Sequence, residues 1–245
     1  MRHRAVAVGG SSVFDPTRLD GCVGWFRGSH LATITDAGAG AVSQWANKVG
    51  NGWHLTEATN RPTTGVSTIN GKNAIRFVGA SSQKLASTAR QWASASDGAL
   101  AVFVVFEPDS VSGTQSIVDF DSEGAFATRM DQAVRLDGTT SQAVRIAGGV
   151  VIETGPSVAS GTAYIASMVH GTSAIELWIN GTSNGSSAIG TANGTSTAPL
   201  AIGHHPGGGG FFTGAVAEIV VYNRALGTAD RQTVEAGLNA EYAVY

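Results

Sequence analysis

The sequence predicts an all-β fold, a β-sandwich closed by one C-terminal helix, and three observations carry that reading. Short stretches of strand-like alternation are broken by turn residues roughly every eight to twelve positions, the spacing of a sandwich or jelly roll. Residues 100–106 (LAVFVVF) are apolar on both alternating faces, as expected of a central strand covered on both sides. Near the end, residues 203–226 (GHHPGGGGFFTGAVAEIVVYNRAL) place a glycine-rich loop before a long alternating strand, and an amphipathic helix follows. A chain of 245 residues suits one large β domain better than two small ones. With 33 glycines and only 13% charged residues, it is rich in turns and surfaced largely by Ser, Thr, Asn and Gln.

Each element has its own local reason. Ile175, Leu177 and Ile179 fall on one strand face and Glu176 and Trp178 on the other; Ile117, Asp119 and Asp121 face away from Val118 and Phe120. Further strands are expected at residues 125–130, 133–136, 143–146, 150–153, 164–169 and 199–202. Asn180-Gly181, Asn184-Gly185 and Asn193-Gly194 match glycosylation acceptors when the following Thr or Ser is included. They read better as tight turns, because Asn-Gly supplies two positive-φ positions. The helix starts after Gly227, with Asp230 keeping the acidic half of a capping box near the positive helix end. Val234, Leu238, Tyr242 and Tyr245, spaced by four, four and three, form the face laid on the sandwich. Residues 1–13 are small and basic with no burial pattern and form an arm ahead of a single domain, residues 14–245.

Composition excludes several function classes. A net charge of −3 without a basic stripe argues against nucleic acid, and no segment approaches the length of a membrane span. The opening residues lack the apolar core of a signal peptide, so synthesis in a reducing cytoplasm is expected. Cys22 stands alone, which excludes an internal disulfide, and it precedes the apolar Val23–Phe26 stretch as a small buried thiol. No serine-centred elbow and no phosphate-binding glycine motif is present.

The order of particular residues resembles the concanavalin A-like lectin/glucanase superfamily in its laminin-G-like branch. At the end of the chain the resemblance rests on Gly214, Val216-Ala217-Glu218 and Tyr222-Asn223-Arg224-Ala225-Leu226 before a short helix. At the start it rests on Phe14-Asp15-Pro16-Thr17, Gly24-Trp25-Phe26, Val42-Ser43-Gln44-Trp45, Lys48, Gly50-Asn51-Gly52, Arg61-Pro62 and Gly71-Lys72-Asn73-Ala74-Ile75-Arg76-Phe77. The resemblance implies a jelly-roll sandwich with the helix packed on it. For function it implies less, since this scaffold carries lectins, glucanases and structural modules alike.

Retaining glucanases of this fold carry two catalytic carboxylates at alternating strand positions, which sets them about 5 Å apart on one face. Asp119-Phe120-Asp121-Ser122-Glu123 has that spacing. Its first acid is Asp where the enzymes carry Glu, a carboxylate one methylene short of the reacting carbon. A solvated hairpin end is therefore expected, and no catalytic residue. A glycoside hydrolase using Asp119, Asp121 and Glu123 is the alternative, and a stand-alone bacterial lectin a third reading. Sugar binding uses aromatic faces with polar neighbours. Trp53, His54, Trp178, His204, His205 and Phe211 are the candidate ligand-binding residues; Trp92 and Phe212 share their loop setting, with Phe212 expected to tuck into the core. His204 and His205, being adjacent, point to opposite faces and read as a surface pair without metal-ligand spacing. No cofactor is implied; Asp36, Asp121 and Asp137 are the oxygen ligands on offer to a calcium ion of the kind many relatives use.

The expectation is thus a non-catalytic binding or structural module. Proteins that resemble it without a leader are often virion components of bacteriophages or phage-like particles, decorating capsids or forming fibre and tail tips that touch host surface polysaccharide. On that reading the partners are a host glycan and other virion subunits in a homo-oligomeric assembly. Arg2, His3 and Arg4 would pair with acidic groups of a neighbour, and residues 5–8 would add a strand to an open edge.

Overall fold

The computed structural model describes residues 14–121, 131–146, 150–189 and 197–245. The arm of residues 1–13, Glu123, the strand expected at 125–130 and the Asn193-Gly194-Thr195 turn lie outside the described residues. The strands, in chain order, are β1 (Cys22–Arg27), β2 (Ile34–Asp36), β3 (Val42–Trp45), β4 (Leu55–Thr56), β5 (Thr63–Ile69), β6 (Lys72–Phe77), β7 (Leu85–Ala86), β8 (Leu100–Pro108) and β9 (Thr114–Asp121). They continue with β10 (Asp131–Asp137), β11 (Thr140–Ile146), β12 (Val150–Ser157), β13 (Tyr164–His170), β14 (Ala174–Ile179), β15 (Thr182–Ala188), β16 (Leu200–Ile202) and β17 (Gly214–Tyr222), before the helix α1 (Thr228–Tyr242). No described helix is long and apolar enough to cross a membrane.

Two antiparallel sheets form the sandwich. One runs β15-β14-β13-β8-β17-β6-β5, with β1 also paired to β17; the other runs β12-β11-β10-β9-β16-β7-β4-β3-β2. β8 lies between β13 and β17, and its two faces do different work. Leu100, Val102, Val104 and Phe106 face the core between the sheets. Ala101, Phe103 and Val105 face a second apolar layer beneath α1. The double-sided apolar pattern of residues 100–106 therefore has its reason in a helix that covers the outer face of one sheet. β14 behaves as its alternation predicts, with Ile175, Leu177 and Ile179 in the inter-sheet core and Trp178 in the layer below the helix.

α1 buries Val234, Leu238 and Tyr242, while Tyr245, expected on the same face, is 53% exposed. The helix stops because Ala243 turns into the left-handed region at φ 47, which carries Tyr245 off the helical spiral. Gly227 caps the start without a side-chain bond, and Asp230 pairs with Arg224 at 2.7 Å. The helix is keyed to the sheet by Glu218 of β17. Its carboxylate accepts hydrogen bonds from Trp25 Nε1 at 2.6 Å and from the Tyr242 hydroxyl at 2.8 Å. Burial pushes this carboxyl above its usual range, opposed by those two bonds and by Arg27. The Glu218 of the sequence pattern is thus a tie between β1, β17 and α1.

Of the three Asn-Gly turns, Asn180-Gly181 forms the expected geometry, with φ 51 and 73 in the β14–β15 connection. Asn184-Gly185 instead lies inside β15, an edge strand that a Ser/Thr-rich stretch without large apolar residues did not announce.

Candidate functional site

The most concentrated chemistry sits where β9 meets the loop after β16. β16 pairs with β9 so that Ala201 lies opposite Asp119. The chain then leaves the sheet at Gly203 (φ 83), whose N–H still reaches the Ile117 carbonyl at 3.0 Å. The loop folds back on itself: Gly208 N–H donates to His205 O, His205 N–H to Gly209 O, and Phe212 N–H to Gly203 O. Ser116 of β9 completes the closure by donating its N–H to Gly210 O at 2.8 Å. Two demands account for the run of glycines. Gly208, Gly209 and Gly210 all adopt positive φ, and a Cβ at Gly207 would come within 2.7 Å of His205 Nε2.

The loop carries the His205 imidazole onto the paired acids of β9. Its Nδ1 lies 3.1 Å from Asp119 Oδ2 and its Nε2 lies 3.8 Å from Asp121 Oδ2. Asp119 and Asp121 are 1% and 0% exposed, so they are no solvated hairpin end, whereas His205 is 30% exposed by its side chain. The expectation failed because an alternating strand with acids on one face says nothing about a loop 86 residues away that covers that face. Burial pushes the Asp119 carboxyl above its usual range; His205 works against that shift and the neighbouring Asp121 adds to it. Among the described residues, Asp119 Oδ1 is buried without a hydrogen-bond partner. The β9 alternation is also modified: the pairing with β10 steps from Val118 to Ser116, and the skipped Ile117 packs in the core with Val118 and Phe120.

The other predicted residues divide into separate groups. His204 is buried at 7% exposure rather than on the surface; its ring stacks on Phe211 at 6.0 Å between centroids and 25° between planes, and its Nδ1 bonds the His205 carbonyl. His204, His205 and Phe211 thus share one loop, and the two imidazoles do point apart, one to Phe211 and one to the acids. Phe212 is fully buried, as expected. Trp53 packs edge-on against the buried Trp92 at 5.1 Å, and His54 Nδ1 accepts the Asn47 N–H, so both pin the loop beside β1. Trp178 is covered by the Arg231 guanidinium, 4.0 Å above its ring, and Arg231 is held by Glu235 at 2.6 Å. That removes Trp178 from the set of open platforms. Arg231 and Glu235 carried a signal in their i, i+4 spacing, but nothing in it told that the pair is buried.

The three acids considered for calcium do not converge. Asp36 accepts the Gly38 and Gly40 N–H groups, Asp121 faces His205, and Asp137 lies at the opposite end of the β9–β10 pair, opposite Thr114. Among the described residues no group of three or more His, Cys, Asp or Glu side chains is gathered for a metal ion. Cys22 is partly buried, and burial pushes its thiol up to about 12, which suits a packing residue. A separate cavity of about 520 Å³ between β2 and β5 is lined by Leu31, Ile34, Asp36 and Val66 among others and shares no residue with the β9 cluster.

A family model described as the concanavalin A-like lectin/glucanases superfamily matches residues 78–230. No curated protein sequence matches the chain. Among solved structures, domain 4 of AbnA, a GH43 extracellular arabinanase from Geobacillus stearothermophilus in complex with arabinotriose, is similar with a TM-score of 0.61 at 14% identity, covering 88% of this chain and 98% of that one. A Trypanosoma rangeli sialidase is similar with a TM-score of 0.57 at 12% identity, over 90% of this chain but 33% of that one. The botulinum neurotoxin serotype G binding domain is similar with a TM-score of 0.55 at 9% identity, over 78% of this chain and 50% of that one. At these identities the structural likenesses speak for the fold. The family model spans more than half of the residues, and with two antiparallel sheets and a C-terminal helix beneath it the chain belongs to the concanavalin A-like lectin/glucanase superfamily.

Proposed function

We propose that the protein is a non-catalytic carbohydrate-binding module whose ligand meets the loop of residues 203–212. The observation that carries this reading is the His205 ring seated between Asp119 and Asp121. Two-carboxylate glycosidases keep the space between their acids for the scissile bond, with carboxyls about 5 to 9.5 Å apart. Here an imidazole fills that space, and both acids are sealed from solvent. What the loop offers outward is the partly exposed His205 ring and the partly exposed Phe211, whose ring stacks on the buried His204; aromatic rings on a polar loop are what pyranose rings and sugar hydroxyls engage. The arabinotriose-bound arabinanase domain, matched over 98% of its length, supports an oligosaccharide as the class of ligand.

The finer reading is a virion component of a phage or phage-like particle, touching host polysaccharide and held to neighbouring subunits by residues 1–13. Its support is the low-charge Gly/Ser/Thr surface and the basic arm, and gene neighbourhood tests it directly.

A glycan array followed by titration calorimetry tests the binding reading, with Phe211→Ala and His205→Ala each weakening the best oligosaccharide by about tenfold. An array without any bound glycan would sink it. Release of reducing ends from laminarin or agar, abolished by Asp119→Ala, would overturn the non-catalytic part alone.

A further inference from the structure

We infer that Asn184 is a spontaneous deamidation site, set apart from the other Asn-Gly pairs by the way the fold leaves its side chain free. In this reaction the Gly185 backbone nitrogen, losing its proton to hydroxide, attacks Cγ of Asn184. The new N–Cγ bond forms as the Cγ–Nδ2 bond breaks, ammonia departs, and water then opens the succinimide to aspartate or isoaspartate. Closure requires a side-chain amide and a following nitrogen that are both at liberty to approach each other, and glycine presents that nitrogen without a blocking Cβ.

The described residues contain four Asn-Gly pairs, and three are restrained by side-chain hydrogen bonds. Asn180 Oδ1 accepts the Ile165 N–H at 2.8 Å. Asn70 Nδ2 donates to the carbonyls of Tyr242 and Ala243. Asn51 is held three times, its Oδ1 accepting from Asn47 Nδ2 and Trp53 N–H and its Nδ2 donating to Val23 O. Asn184 has no side-chain hydrogen bond among the described residues, and both it and Gly185 are exposed.

The backbone adds a second argument. β15 is the end strand of its sheet, and its pairing with β14 jumps from Glu176↔Ser186 to Trp178↔Ser183. Asn184 and Gly185 fall in that gap, with Gly185 at φ 143. Neither residue is a register partner of β14, and the Gly185 N–H meets the exposed Ser183 hydroxyl at 3.0 Å. Such a bulge on an edge strand bends with little loss to the core. The product adds one negative charge to a chain of net charge −3, and isoaspartate also lengthens the strand backbone by one methylene.

Each hydrogen bond on the Asn side chain that must break slows closure by about fivefold, the net worth of an ordinary hydrogen bond expressed as a rate, whereas the Gly185 N–H exchanges its exposed Ser183 partner for water. The expected order in the folded protein is thus Asn184 fastest, then Asn180, then Asn70, with Asn51 slowest. The full chain is aged in mildly alkaline buffer, and peptide mapping by mass spectrometry follows amide-to-acid conversion and isoaspartate at each site. Asn193-Gly194, outside the described residues, shares a tryptic peptide with Asn180 and Asn184, so fragment-ion spectra assign the conversion at each of the three separately. In urea the four rates should converge, since the selectivity comes from the fold, and Asn184→Gln should abolish the earliest acidic species without changing the melting temperature. Faster conversion at Asn180, Asn70 or Asn51, or equal rates in the folded chain, would overturn the inference.

Discussion

His170, at the end of β13, is fully buried, and burial holds its imidazole at about 4 instead of the ordinary 6.5, with Arg145 pushing the same way. The linkage follows from which state takes the proton. In the unfolded chain the ring protonates near 6.5, whereas in the folded protein it stays neutral until about pH 4. Stability from the neutral ring is complete above 6.5 and falls away as the pH drops toward 4, by about 3 kcal/mol over that window. Denaturant melts across that range should show this slope, and His170→Gln should flatten it. An unchanged slope in the variant would assign the acid sensitivity to other groups, with His204, whose imidazole burial also holds below its ordinary value, the next to test. The same scale explains why the β9 acids were misread. A carboxylate's environment is set by what packs over it, and the His205 loop is remote in sequence.

At the scale of elements, the helix–sheet seam makes a sharper test than either element alone. Gly237 lies within α1, where alanine should gain about 1 kcal/mol on propensity. A Cβ there, however, would run into the ring of Phe14, which packs in the layer beneath the helix. Overpacking of this kind costs about 1 to 3 kcal/mol, so Gly237→Ala should be destabilising on balance. In a Phe14→Ala background the obstacle is gone, and the same substitution should stabilise by about 1 kcal/mol. A double-mutant cycle from thermal melts reads this reversal of sign directly, and additive effects would show that Phe14 and Gly237 do not press on each other. The seam also explains why Arg231 and Glu235 are buried on the helix face expected to be apolar. Their ion pair lies over Trp178, with the planar Arg231 guanidinium resting on the indole face.

For the whole molecule, the described body begins at Phe14 and is packed from that residue on. Pro16 accepts the Tyr222 hydroxyl at 3.0 Å and Phe14 packs under the helix, so among the described residues the tie to the core begins at Phe14. A variant that begins at Phe14 should therefore melt as the full chain does, whereas one that also loses residues 14–16 should melt at a lower temperature. If the module is a virion component, the chain lacking residues 1–13 should stay folded yet fail to incorporate. Incorporation at normal copy number would move the docking surface onto the sandwich itself.

The class of fold was legible because burial leaves a periodic trace. Residues 100–106 announced a strand covered twice, Ile175, Leu177 and Ile179 a core face, and Val234, Leu238 and Tyr242 a docked helix. Period two and period 3.6 follow from backbone geometry, which acts on neighbouring residues. Strands without that trace were missed, as with the Ser/Thr-rich edge strand β15. The candidate residues His204, His205 and Phe211 were likewise legible as a loop with unusual chemistry. Their partners were not. Only the antiparallel pairing of β16 with β9 brings Asp119 beneath His205, and only the packing of α1 places Arg231 over Trp178. Side-chain identity and local spacing are properties of the chain, whereas the electrostatic setting of a buried group depends on contacts that close loops of tens to hundreds of residues. The tertiary structure alone decides those contacts, and with them which of the residues marked in the sequence stand open to a ligand.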